Sequence, residues 1–164
     1  MSNFNVGQML IDTAGAVVAQ IQAGATADRC AGLWQMPYEV SEITDVELDV
    51  ELTDNVLHVG VLLSNTSKSE LCDRDSLKTE AVVNVIVRMH PPEASLDWQH
   101  TLVWITGEIL RFLAPTAANA GLSLPTYQAA HFDSVKWLRI FDADLWREHR
   151  QFNAILSFTY TIFG

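Results

Sequence analysis

The sequence predicts an α+β fold: a mixed, mainly antiparallel sheet of about four to five strands covered by two helices. Three stretches carry this expectation. Thr79–His90 alternates with a period of two, so Ala81, Val83, Val85, Val87 and Met89 point one way and Val82, Asn84, Ile86, Arg88 and His90 the other. Leu96–Leu113 switches to the helical period and sets Trp98, Leu102, Ile105, Ile109, Phe112 and Leu113 on one stripe. Arg150–Phe163 alternates again, with Phe152, Ala154, Leu156, Phe158, Tyr160 and Ile162 opposed to Asn153, Ile155, Ser157, Thr159 and Thr161.

The remaining elements follow in order. Asn5–Gln22 reads as a first helix, with Met9, Leu10, Ala14, Val17, Val18 and Ile21 at helical spacing and Gly24 as its stop. Ala23–Val40 reads as an irregular segment, because Gly24, Gly32 and Pro37 break it. Ile43–Thr53 alternates, with Val46, Leu48, Val50 and Leu52 toward the core and Asp45, Glu47, Asp49 and Glu51 on the other face. Thr53-Asp54-Asn55 reads as a turn into a strand over Val56–Leu63, so Ile43–Leu63 is expected to be an antiparallel hairpin. Ser64–Ser76 is polar and reads as an exposed loop.

Pro91-Pro92 ends the central strand, since proline donates no ladder bond and restricts its predecessor. Ser95 is the expected N-cap of the long helix, and Asp97 complements its dipole. Ala114–Asp133 is another loop, broken by Gly121 and Pro125. Val135–Asp142 reads as a strand, and Ala143–His149 as a turn or a bulged continuation. One α+β domain over residues 1–164 is expected, with long loops at about 23–41, 64–77 and 114–134.

Charge narrows the function classes. The net value is −10, and residues 1–67 hold nine acids against one base, Arg29. Such a chain is a poor candidate for gripping nucleic acid, because that affinity depends on Lys and Arg neutralising phosphates. No apolar run is long enough for a membrane helix. Met1–Gln8 has no positive charge before its first apolar run, so no secretory signal is expected. Cys30 and Cys72 form no CxxC and read as two free thiols in a reducing compartment, with one structural disulfide as the alternative.

No catalytic motif emerges. The acidic row Asp45/Glu47/Asp49/Glu51 suits a divalent cation in its ligand type, but alternate strand residues lie about 7 Å apart and straddle an ion poorly. It reads as a solvated strand face or as a purposeful negative surface that repels polyanions. His58, His90, His100, His131 and His149 show no zinc spacing, and neither cysteine nor any serine sits in a nucleophile motif. No metal and no cofactor are therefore expected. Trp98 belongs to the apolar stripe of the long helix. Trp104 lies off it, and Trp146 sits among Arg147, Glu148 and Arg150, so both read as outward-facing candidates for contact with a partner.

In element order the chain resembles the tail terminator (tail completion, tail-to-head joining) proteins of long-tailed bacteriophages. The resemblance spans the first helix, the acidic hairpin Ile43–Leu63, the unit Thr79–Leu113 and the last strand with Ser157-Phe158-Thr159-Tyr160-Thr161. It implies a non-enzymatic structural protein of the virion tail or neck, made in the host cytoplasm. It implies a homohexameric ring that caps the tail tube protein, stops its polymerisation and meets the head–tail connector protein. DNA would pass through without specific binding, and no membrane is involved. On that implication Asp45, Glu47, Asp49 and Glu51 line a negative lumen. Trp34, Tyr38 and Tyr127, with Trp104 and Trp146, supply subunit or partner contacts. The alternatives are another neck or tail connector protein, a small-molecule-binding or enzymatic α+β domain, and a cellular adaptor or assembly chaperone.

Overall fold

A computed structural model of the chain describes residues 5–26, 37–44, 52, 54–71, 77–113 and 131–163. Their order is α1 (Val6–Thr26), β1 (Tyr38–Glu42), β2 (Leu57–Leu63), β3 (Lys68–Leu71), β4 (Leu77–Met89), α2 (Leu96–Leu113), β5 (His131–Arg139), α3 (Ala143–His149) and β6 (Phe152–Phe163). The strands form one six-stranded sheet in the order β1-β2-β4-β6-β5, and β3 also pairs with β4. Only the β1–β2 pairing is parallel among the described strands. The fold is thus α+β and mainly antiparallel, as the sequence predicts, with one strand and one short helix beyond the expected number.

β4 and β6 make the spine. They pair from Lys78–Phe163 to Met89–Phe152. Their alternation places Ala81, Val83, Val85, Val87 and Met89 beside Tyr160, Phe158, Leu156, Ala154 and Phe152 on one face, and all ten are buried. That face receives the helices. α1 brings Met9, Ala14, Val17 and Ile21, and α2 brings Leu102, Ile105, Ile109 and Leu113. Two buried hydroxyls in these helices bond back one turn, Thr13 to the Met9 carbonyl and Thr106 to the Leu102 carbonyl, each at 2.8 Å. Beside them Phe132 meets Phe158 and Tyr160 edge-on, with centroids 6.5 and 6.2 Å apart.

Local chemistry sets the helix ends. Asn5 caps α1 by accepting the Gln8 N–H at 3.0 Å. Ser95 caps α2 as expected, accepting the Trp98 N–H at 3.3 Å.

Three expectations need correction. β2 is not half of a hairpin with the segment before it. Its two sides are taken by β1, in parallel over Leu57–Val61, and by β4, antiparallel. Apart from the Ile43 N–H, which closes the parallel ladder on the Val61 carbonyl, no ladder position along Leu57–Val61 remains for Ile43–Thr53, of which residues 45–51 and 53 lie outside the described residues. Tyr38–Glu42, partly within the segment read as irregular, is the strand instead.

The polar stretch Ser64–Ser76 is not all loop. β2 and β3 run along β4 as one interrupted strand, β2 opposite Val83–Arg88 and β3 opposite Leu77–Glu80. Ser67 patches the interruption: its hydroxyl accepts the Val82 N–H at 2.9 Å. Lys68 and Lys78 both reach Glu80, at 3.5 and 3.6 Å.

Ala143–His149 is a helix rather than a turn or bulge. Asp142 caps it, accepting the N–H groups of Asp144 at 3.1 Å and Leu145 at 3.0 Å. Arg150 ends it in the left-handed conformation at φ 50°, with its N–H on the Trp146 carbonyl and the Gln151 N–H on the Leu145 carbonyl, both at 3.2 Å. The Arg150 bond is that of the αL cap, with arginine where glycine is usual.

Candidate functional site

With one face under helices, three kinds of surface remain: the reverse face of the sheet, its two edges, and the outer side of the helices. On the reverse face the ladder registers align one residue from each of four strands, Glu39, His58, Arg88 and Asn153. Glu39 Oε2 lies 3.2 Å from His58 Nδ1. Arg88 is 6% exposed and Asn153 is fully buried. Among the described residues, His58 Nε2, Asn84 Oδ1 and both amide atoms of Asn153 are buried without a hydrogen-bond partner. Close by, Ile43 folds over Gly60, where a Cβ would come within 2.6 Å of its Cδ1. Only glycine fits that approach without displacing Ile43.

His90 ties the end of β4 to two other segments. Its Nδ1 lies 2.9 Å from Asp54 Oδ1 and its Nε2 lies 2.7 Å from the His149 carbonyl. Both neighbours are acceptors, so the neutral ring donates to one of them and the cation to both. The site is a junction, not a nucleophile pair. Among the described residues no group of three or more His, Cys, Asp or Glu is placed to hold a metal. No helix among them is long and apolar enough to cross a membrane.

The residues singled out for contacts divide sharply. Trp104 projects from the outer side of α2 and is 52% exposed; Tyr38 on β1 is 36% exposed. Trp146 does not face outward, and that expectation is corrected. It is 8% exposed and meets the Phe152 ring edge-on at 6.4 Å. Its charged neighbours suggest a surface, but in α3 it turns inward with Leu145 while Arg147 and Glu148 stay in solvent. Trp34, Tyr127 and the acidic row Asp45, Glu47, Asp49 and Glu51 lie outside the described residues.

Sequence reasoning misses Leu138 and Ile140, which are 59% and 46% exposed at the β5 edge. The signal was present: Leu138 and Ile140 share the parity opposite to Trp137, so alternation sets both large aliphatic residues on the face away from it. A register shift between Trp137 and Arg139 leaves Leu138 outside.

Neither protein-family models nor curated proteins give a match to the chain. Among solved structures, it resembles a chain of the virion of a native gene transfer agent (GTA) particle, at 14% identity and a TM-score of 0.56. The correspondence covers 99% of this chain and 100% of that one. At that identity the likeness establishes a shared fold.

Proposed function

We propose that this chain is a structural protein of a phage-like virion. It forms a ring at the head-proximal end of the tail tube, stops tube polymerisation and joins the tail to the head connector. The observation that supports this most is the end-to-end fold correspondence with a chain of a gene transfer agent virion, with neither chain left over. The surface chemistry agrees. Large apolar side chains stand exposed at Ile11, Tyr38, Trp104, Leu138 and Ile140, dispersed as contacts are and not gathered into a cleft. An enzyme would need convergent polar groups around a pocket.

The negative charge belongs to the same reading. In the proposed ring Asp45, Glu47, Asp49 and Glu51 face the channel, where carboxylates repel the phosphates of passing DNA and keep it from binding. Placement of Glu47 and Glu51 on the outer rim of an assembled particle would remove that part of the proposal.

The terminating role has its own assay. The purified chain is added to polymerising tail-tube subunits, and tube lengths are measured by electron microscopy. Tubes that stop growing and carry an extra density at one end are expected. Tubes that elongate at the unmodified rate would point to another position in the particle.

A further inference from the structure

We infer that neighbouring copies of this chain meet across the two ends of the sheet, the β1 flank of one copy against the β5 flank of the next. The contact presupposes the ring reading above and specifies how the ring closes.

The two flanks are built differently. At the β1 end, Pro37 and Ile43 give their backbone groups to β2: the Leu57 N–H bonds the Pro37 carbonyl at 2.9 Å and the Ile43 N–H bonds the Val61 carbonyl at 2.8 Å. By the alternation of a parallel ladder, the backbone groups of Tyr38, Val40 and Glu42 then face away from the sheet. Gln22 of α1 reaches the outward Val40 carbonyl at 3.4 Å. Ile11 lies about three helical turns before Gln22, so it stands on the same side of α1. Ile11 and Tyr38 therefore share the β1 flank, with Glu39 and Glu42 exposed beside them.

The β5 flank carries Leu138 and Ile140, both exposed, with Lys136 and Arg139 beside them and one exposed acid, Asp133, nearer the start of the strand. Arg139 is engaged by Asp142 at 3.7 Å. Lys136 is exposed and has no carboxylate partner among the described residues. The registers place Lys136 opposite Ser157 and Glu39 opposite His58, on the same face of the sheet at its two ends. Four of the six exposed large apolar residues among the described ones thus lie on these flanks, with Glu39 and Glu42 beside one pair and Lys136 beside the other.

That pairing selects the occupant. A second copy sets the apolar flank with Glu39 against the apolar flank with Lys136, so the two ends of one chain complement each other at that pair. Because the flanks differ, the contact is heterologous and repeats head to tail, which closes as a ring or runs on as a filament. β5 also has register shifts between Phe132 and Ser134 and between Trp137 and Arg139. Bulges twist an edge away from simple strand addition. The contact is therefore made by side chains and not by a continued ladder.

Charge reversal tests it on the full-length chain. Self-association is measured by sedimentation, alone and with tail tubes, for wild type, Glu39→Lys, Lys136→Glu and the double variant, with Leu138→Ser as an uncharged probe. Circular dichroism melts check that each variant folds. Either single reversal, and Leu138→Ser, should weaken assembly about tenfold or more, and the double reversal should restore most of it. Rings that assemble undiminished in every folded variant would overturn the flank contact and leave the ring reading standing. A wild-type chain that stays monomeric with and without tubes would overturn the ring reading, and this contact with it.

Discussion

The two faces of β4 and β6 make opposite use of the same strands. On the helix side every position from Ala81 to Met89 and from Phe152 to Ile162 that points inward is apolar and buried, apart from the phenol of Tyr160. On the reverse side the same strands bring Asn84, Arg88 and Asn153, with Ile86 between them. Apolar burial contributes roughly 25 cal/mol per Å², so the first face stabilises the fold. A buried polar atom without a partner costs about 1–3 kcal/mol, so the second face subtracts from it. Stability is therefore concentrated between the sheet and the helices, while the middle of the reverse face buries polar groups and the edges stay partly exposed.

Four substitutions would break or sharpen this contrast. The largest effect belongs to Phe152, fully buried and stacked 6.1 Å from Phe141. Phe152→Ala should lower unfolding stability by about 3–5 kcal/mol in a denaturant melt. A loss under about 1 kcal/mol would mean that the helix-side face is not the main core.

Asn153 is buried equally deeply on the opposite face, which makes it the sharpest control. Asn153→Leu removes an amide with no hydrogen-bond partner and keeps similar volume. It should leave stability unchanged or raise it by about 1 kcal/mol. A loss comparable to that of Phe152→Ala would show that the reverse face carries essential bonds in the single chain.

Asp142→Ala strips two backbone N–H groups of their acceptor at the start of α3. The expected loss is about 1 kcal/mol, seen as a lower melting temperature. No change would mean that Leu145 and Trp146 hold α3 in place without the cap.

The smallest effect concerns Tyr160, whose hydroxyl is buried and unpaired. Burial pushes this phenol well above its ordinary range. Its folded pKa is raised, so its contribution is complete below about pH 10, the unfolded value, and is lost as pH rises above it. Tyr160→Phe should be neutral or slightly stabilising at pH 7 and should lose less stability than wild type between about pH 10 and pH 11. Parallel pH profiles for the two proteins would contradict the assignment.

Legibility in the sequence followed how much of each element's pairing is local. α2 could be read to its ends, because Pro91-Pro92, Ser95 and an eighteen-residue apolar stripe all act within the segment. β4 and β6 were readable because each is long and buried, and the alternation repeats many times. β1 was not: its five residues are mostly exposed, and its parallel partner is set by a crossover that no local pattern reports. β3 has four polar-rich residues and owes its place to β4. α3 is seven residues long, too short for a periodic stripe. Its signal lay in Asp142 as a cap, and missing that cap also misplaced Trp146.

For the candidate surfaces, the exposure of Trp104 could be anticipated from its helical spacing. Leu138 was legible too, since alternation sets it opposite Trp137, but no motif drew attention to it.

The most direct test of the account is electron microscopy of the purified full-length chain, imaged alone and with tail tubes. A ring reading predicts closed, six-fold rings or tubes capped at one end. A monomer that neither forms rings nor binds a tube would contradict it.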